Sequence, residues 1–331
     1  GRLMKDYIRP LVEELGDYVL AGGWCRFTKV EVLQRGKAPS ICLASDIPEA
    51  SLHQLTVERG DVGLPQRHRP QVMGILNTTP DSFSDGGQFD TLSAAKTHAK
   101  MMINHGADII DIGGESTRPG AKLVETDEEI RRTYPVVQAL RDVSSLPVSI
   151  DTRKAEVAEL ALKAGANWIN DVSGLSFDSD MVNIVVKEDA PLCIMHSPPD
   201  PKTMQQNVNY DDVLLDVYDY LEARIEFAVS QGVKRTNIVI DPGIGFGKTQ
   251  KHNLVLLRGL ALFHSLGCPI LLGASRKRFI GTISGSEDVN TRMPGSLAVA
   301  LAAVAQGSQF VRVHDVLETV QALKLWGAVR F

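Results

Sequence analysis

From residue 72 onward, short apolar runs alternate with longer stretches in which apolar positions recur every three or four residues. The runs are VMGIL (72–76), DIIDI (108–112), PVSID (147–151), WIND (168–171), PLCIM (191–195), NIVID (237–241), CPILLG (268–273) and QFVRV (309–313). They are largely apolar rather than alternating, which predicts strands buried on both faces. The stretches between them read as helices. Val213, Val217, Leu221, Ile225 and Ala228 form one helical stripe within 210–230, and Gly232 follows its end. Thr126 with Glu129 predicts a capping box, Val136, Val137 and Leu140 give that helix its inward face, and Pro135 predicts a kink or break. Gly106, Gly165 and Gly307 stand where other helices should stop.

Eight such units over residues 72–331 give roughly 32 residues each, the scale of an α/β (β/α)₈ (TIM) barrel of about 250 residues. A doubly wound open sheet is the alternative. The barrel is favoured because nearly every run ends in polar residues, whereas an open sheet would gather them at its switch point. Residues 1–70 break the rhythm. They hold GGWCRF, one predicted strand at 27–33 and a Pro-flanked tail, LPQRHRP, but also Leu11, Val12, Leu15, Val19, Trp24 and Phe27. The reading is a small appended module of unknown role at 1–70, packed on the barrel or on a partner, and a barrel at 71–331.

The first two strand ends run into GILNTTPDSFSDGG (74–87) and DIIDIGGESTRPGA (108–121). Such loops, polar and rich in Gly and Pro, are costly to order without a ligand. Asn77, Asp111, Glu115, Thr117 and Arg118 are more than a turn requires, and they fall at the carboxyl ends of strands, where ligands bind in such folds. The pattern points to an enzyme. Asp151, Asn170 and Asp241 come at the ends of the third, fourth and sixth strands, so they face one barrel mouth. Arg312 and His314, two apart at the end of the eighth, project in the same direction.

Composition narrows this further. A formal net charge of −5 gives no basic field for nucleic acid or an anionic membrane. No apolar run is long enough to cross a bilayer, and no cleavable signal pattern is seen. The four cysteines are scattered without a CxxC pair, so reduced thiols in the cytoplasm are expected, with Cys193 and Cys268 as packing residues and no zinc site.

The motifs GILNTTPDSFSDGG, DIGGESTRPGA (111–121), SIDT (149–152), INDVSG (169–174), IDPGIGFGKT (240–249), GASRKRFIG (273–281) and VRVHDV (311–316), in this order, resemble the dihydropteroate synthase family from Val72 to the C-terminus. The resemblance implies a barrel enzyme that joins 7,8-dihydropterin pyrophosphate to p-aminobenzoate and releases pyrophosphate. It implies that Asp151, Asn170 and Asp241 hold the donor edge of the pterin. Met195 and Phe246 would wall that pocket, and Lys277 would meet the pterin's acceptor side. Ser275, Phe83, Thr117 and Pro119 would form the aminobenzoate site, with a helix starting near Arg276 adding its dipole.

Asn77, Thr117, Arg118, Arg312 and His314 would take the pyrophosphate, with Mg²⁺ bridging it to Asn77. Asp85 would support the cationic pterin carbon or the incoming amine. Departure of the leaving group would run ahead of attack by the weakly nucleophilic amine, with no covalent nucleophile. Sulfonamides are implied as inhibitors and a homodimer as the assembly. His196 stays undecided between packing and function. Thr78, where the family commonly has an apolar residue, and the 70-residue head are departures. A pterin-binding methyltransferase and a regulatory paralogue without activity are the competing readings.

Overall fold

The computed structural model describes residues 4–64, 68–80, 91–118, 120–198 and 208–330. Eight parallel strands form one sheet: β5 (Gln71–Asn77), β6 (Ile109–Gly113), β7 (Val148–Asp151), β8 (Trp168–Asp171), β9 (Leu192–Met195), β10 (Ile238–Asp241), β11 (Leu271–Leu272) and β12 (Phe310–Val313). Their order is β10-β9-β8-β7-β6-β5-β12-β11, and a parallel bridge between Ile240 and Ile270 closes the ring. All eight predicted runs are strands. The seventh is the shortest, because only Leu271 and Leu272 pair regularly with β12.

The outer ring comprises α2 (Thr91–Asn104), α3 (Thr126–Val143), α4 (Ala155–Lys163), α5 (Met181–Glu188), α6 (Val213–Ser230), α7 (Gln250–Arg258), α8 (Arg278–Ser284), α9 (Met293–Val304) and α10 (Val316–Arg330). α1 (Glu49–Thr56) belongs to the head. The predicted stripe of α6 is wholly buried. In α3 two expectations fail. The N-cap is Glu125 and makes no side-chain cap bond. Glu129 is fully buried and its carboxylate is taken by Thr152 and Lys154, so it cannot reach back to the helix start. Pro135 lies inside an unbroken helix, where burial of Val136, Val137 and Leu140 offsets the missing backbone bond.

The head is an antiparallel sheet of β1 (Tyr7–Glu13), β2 (Tyr18–Val19), β3 (Arg26–Leu33) and β4 (Ser40–Leu43), with β3 paired to the other three. Ile8, Leu20, Phe27, Val30 and Leu55 give it a small core of its own. Its seam with the barrel is also packed. Tyr7 joins the barrel core, with its ring edge-on to Tyr218 at 5.3 Å and its hydroxyl donating to Asp219 at 2.9 Å. Trp24 Nε1 donates to Val304 O at the end of α9 at 2.8 Å. Lys5 and Arg35 form ion pairs with Asp216, Asp219 and Glu222 along α6.

Candidate active site

Strand register places the polar strand ends side by side around the mouth. Asn77 is opposite Gly113, Gly113 opposite Asp151, Asp151 opposite Asn170, and Asp241 opposite Met195. Every one of these positions lies at the carboxyl end of its strand, where the loops of such a barrel build a site.

One salt-bridge network crosses the mouth. Arg312, from β12, donates from Nε to Asp111 Oδ2 at 2.8 Å and from Nη2 to Asp151 Oδ2 at 3.4 Å. Asn170 Nδ2 donates to the same Asp111 oxygen at 3.2 Å. Asp111 is 1% exposed, and its Oδ1 has no hydrogen-bond partner among the described residues. Burial, and then the Asp111 carboxylate, push Asp151 well above the ordinary carboxylate range, with Arg312 opposing them. Asp241 is also raised by burial, against the backbone N–H of Gly243, which donates to it at 2.8 Å.

The loop after β10 turns back at Gly243, whose φ is +74°. A Cβ there would sit 1.9 Å from His196 O, so the turn needs glycine. Lys248 is buried below this loop, with Nζ 2.7 Å from Gly243 O, 2.8 Å from Phe246 O and 2.8 Å from His196 Nδ1. Burial pushes both Lys248 and His196 down, and each is further disfavoured or offset by charged neighbours. His196 thus meets the loop through Lys248. Above the loop, Lys277 Nζ donates to Ile244 O and lies 4.3 Å from the centre of the Phe246 ring. Burial lowers Lys277 to about 7, partly offset by Asp241 and reinforced by Arg312.

Lys277 is the N-cap of α8, which begins at Arg278 rather than near Arg276. The preceding residue, Arg276, has φ of +59°, uncommon for a side chain of its size. Three contacts hold it there: a forked pair with Asp315 at 2.7 and 3.1 Å, its N–H to Ser296 Oγ at 2.8 Å, and its carbonyl to Arg292 at 3.0 Å. These contacts fix the backbone between Ser275 and Lys277. Ser275 Oγ accepts the backbone N–H of His314 at 3.1 Å and lies 2.9 Å from His314 Nδ1. Burial pushes His314 down to about 3, with Arg312 and Arg276 adding to the effect.

The expected residues Asn77, Asp151, Asn170, Met195, Asp241, Phe246, Ser275, Lys277, Arg312 and His314 all lie at this mouth or on its loops. Arg312 pairs with Asp111 and Asp151, while His314 meets Ser275, and Arg312 is near enough to disfavour protonation of His314. Thr117 is half-buried and Arg118 exposed on the loop after β6; Arg118 lies near enough to disfavour protonation of His314. Phe83, Asp85 and Pro119 lie outside the described residues. Asp111 was legible as a strand-end polar residue, but its partnership with Arg312 had no sequence signal. Asp315 and Lys248 had none either.

The sequence pattern of the family described as pterin binding enzyme matches residues 73–314. A dihydropteroate synthase of a Synechocystis strain is 47% identical over 261 residues, covering 79% of this chain and 90% of that protein. The solved structure of Xanthomonas albilineans dihydropteroate synthase with 4-aminobenzoic acid superposes with a TM-score of 0.76 at 43% identity, covering 82% of this chain and 98% of the other. That of the Yersinia pestis dihydropteroate synthase with a sulfonamide drug complex gives 0.75 at 44% identity, covering 79% and 94%. Taken with the polar strand ends gathered at one barrel mouth, these likenesses mean that the chain belongs to the pterin binding enzymes and, within them, to the dihydropteroate synthases.

Proposed function

We propose that this enzyme joins 7,8-dihydropterin pyrophosphate to p-aminobenzoate, giving 7,8-dihydropteroate and pyrophosphate. The observation that carries this reading is the row of Asp151, Asn170 and Asp241 facing Lys277 across one mouth. A pterin offers a 2-amino group and a ring N–H on one edge, and buried carboxylates are the acceptors that match them. Its acceptor side then meets the Lys277 ammonium, and Met195 and Phe246 supply apolar walls. Asp111, with a buried oxygen left over, belongs to the same acceptor set.

The C–O bond to pyrophosphate breaks first, its electron pair leaving with the diphosphate, and the amine lone pair then forms the new C–N bond to the cationic pterin carbon. One amine proton is lost afterwards. No residue acts as a covalent nucleophile. The enzyme's part is to hold the diphosphate, let positive charge spread into the pterin, and exclude water. His314 would donate to the leaving group alongside Asn77, Thr117 and Arg118. Arg312, with Nε on Asp111 and Nη2 on Asp151, would meet the diphosphate with its remaining N–H donors. Phe83, Pro119 and Ser275 would frame the aminobenzoate, and Asp85 would face the reacting carbon or amine.

Among the described residues no three His, Cys, Asp or Glu side chains gather to hold a metal. A hard ion brought in on the diphosphate needs no such cage, since Mg²⁺ keeps phosphate oxygens and water as most of its ligands. Asn77 would hold Mg²⁺ with the diphosphate, and the ion would neutralise charge on the leaving group.

Sulfonamides would compete with aminobenzoate, a reading supported by the drug complex of the Yersinia pestis relative. A homodimer would form on α9 and α10. α9 carries no charged side chain, exposes Pro294, Ala298 and Ala302, and packs beside α10, where Leu325 and Val329 are exposed. Residues 1–70 would brace the barrel rather than act alone. The reaction would take place in the cytoplasm, in keeping with four free thiols. Aminobenzoate consumption measured against sulfonamide concentration tests the second-substrate site: competitive inhibition is expected, and turnover unchanged at saturating drug would contradict it.

A further inference from the structure

The loop after β6 leaves the barrel at Gly114 and rejoins a helix at Thr126. One side chain grips both of its ends. Glu115 is buried, and its Oε2 accepts the backbone N–H of Val124 at 2.8 Å, nine residues on, so the two ends of the loop are tied together. The same carboxylate takes Arg153 Nη2 at 2.8 Å and Lys154 Nζ at 3.0 Å. Lys154 carries the connection on to Glu129, in the first turn of α3, at 2.6 Å. The two cations follow Asp151 by two and three residues, so the cluster ties the loop base directly to the strand end that bears Asp151. Arg153 in turn rests over the Phe177 ring, 4.2 Å from its centre.

Two carboxylates and two cations make this a neutral buried quartet. Such clusters add little net stability over apolar packing of the same volume, because desolvation offsets their attraction. What they fix is direction: each hydrogen bond sets an angle as well as a distance. The part of the molecule whose direction is set is the loop that carries Thr117 and Arg118.

We propose that Glu115 is a positioning residue of the reaction. It clasps the two ends of the 116–123 loop to the Asp151 strand end, so that Thr117 and Arg118 meet the second substrate and the leaving group over a seated pterin. The inference rests on the role proposed above for Thr117 and Arg118. Apart from that role, it stands on the geometry of the clasp, and the test separates the two.

The full-length enzyme is compared with Glu115→Gln by steady-state kinetics in both substrates, by direct pterin binding, and by hydrogen exchange of the 116–123 amides. Glu115→Gln is expected to raise the aminobenzoate KM about ten- to a hundredfold, the scale of a misplaced positioning group. Pterin affinity should stay within about twofold, and loop exchange should quicken by about tenfold while the strands stay protected. Lys154→Arg, which keeps charge and donors, should stay near the parent, and Lys154→Met should copy Glu115→Gln; this pair carries the test if Glu115→Gln does not fold. A lowered melting temperature with unchanged KM and loop exchange would overturn the clasp, as would a parallel loss of pterin binding. Arg118→Ala, run alongside, discriminates the two claims. If it is impaired while Glu115→Gln is kinetically silent, the clasp alone fails. If Arg118→Ala is itself without effect on either substrate, the loop's role fails and takes the inference with it.

Discussion

Arg312 Nε lies 2.8 Å from Asp111 Oδ2, joining the eighth barrel strand to the second across the site's mouth. The guanidinium also reaches Asp151, so one cation holds the buried Asp111 and the partly buried Asp151 close together. Removing one partner of a buried pair leaves an uncompensated charge, which costs about 3–5 kcal/mol. Arg312→Met is therefore expected to lower unfolding stability by that order in urea titration and to abolish turnover. Wild-type stability in Arg312→Met would show that the bridge contributes little in solution.

Asp151 gives a pH signature. Burial and Asp111 raise it well above the ordinary carboxylate range, so the folded protein keeps a proton that the unfolded chain has lost. That contribution to stability is present at low pH and disappears as pH rises through the raised value. A ligand donating hydrogen bonds to the ionised form expels the proton. Pterin affinity should accordingly rise with pH across this titration, and calorimetry in buffers of different ionisation enthalpy should record proton release. Asp151→Asn should abolish the release; proton uptake on binding by the parent protein would contradict the assignment.

Lys277 sets the opposite limb. Burial lowers it to about 7, so its ammonium is lost as pH rises through that value. If the charge meets the pterin, binding should weaken above neutrality. Lys277→Arg should move this limb several units higher, because a guanidinium stays charged. An alkaline limb that is the same in the parent and Lys277→Arg would assign it to another group.

The head's contribution can be measured at Tyr7. Its ring is 2% exposed between head and barrel, beside Tyr218 and bonded to Asp219. Tyr7→Ala is expected to cost about 3–5 kcal/mol, as for other large aromatic truncations. Deleting residues 1–70 should destabilise the barrel at least as much. A barrel of unchanged urea midpoint would make the head a separable attachment.

Much of the barrel was legible because its strands are buried on both faces, so that runs such as VMGIL and NIVID stand out without alternation. The head was less so. Its strands mix buried and exposed positions without a continuous apolar run, and only β3 (Arg26–Leu33) was foreseen, at 27–33. The capping box at Thr126 misled because Glu129 has a stronger claim on it: Lys154, 25 residues on, at 2.6 Å. At the site, strand-end residues such as Asp151 and Asp241 could be read from their positions alone. Arg312 with Asp111, and Arg276 with Asp315, could not, since each pairing depends on barrel closure or on a loop in the left-handed region.

The central claim is tested most directly by pyrophosphate release from dihydropterin pyrophosphate and Mg²⁺, measured with and without p-aminobenzoate. Release that requires aminobenzoate and is matched by 7,8-dihydropteroate is the expected result. Undiminished pterin binding with no aminobenzoate-dependent release would contradict the account and return the methyltransferase and regulatory readings.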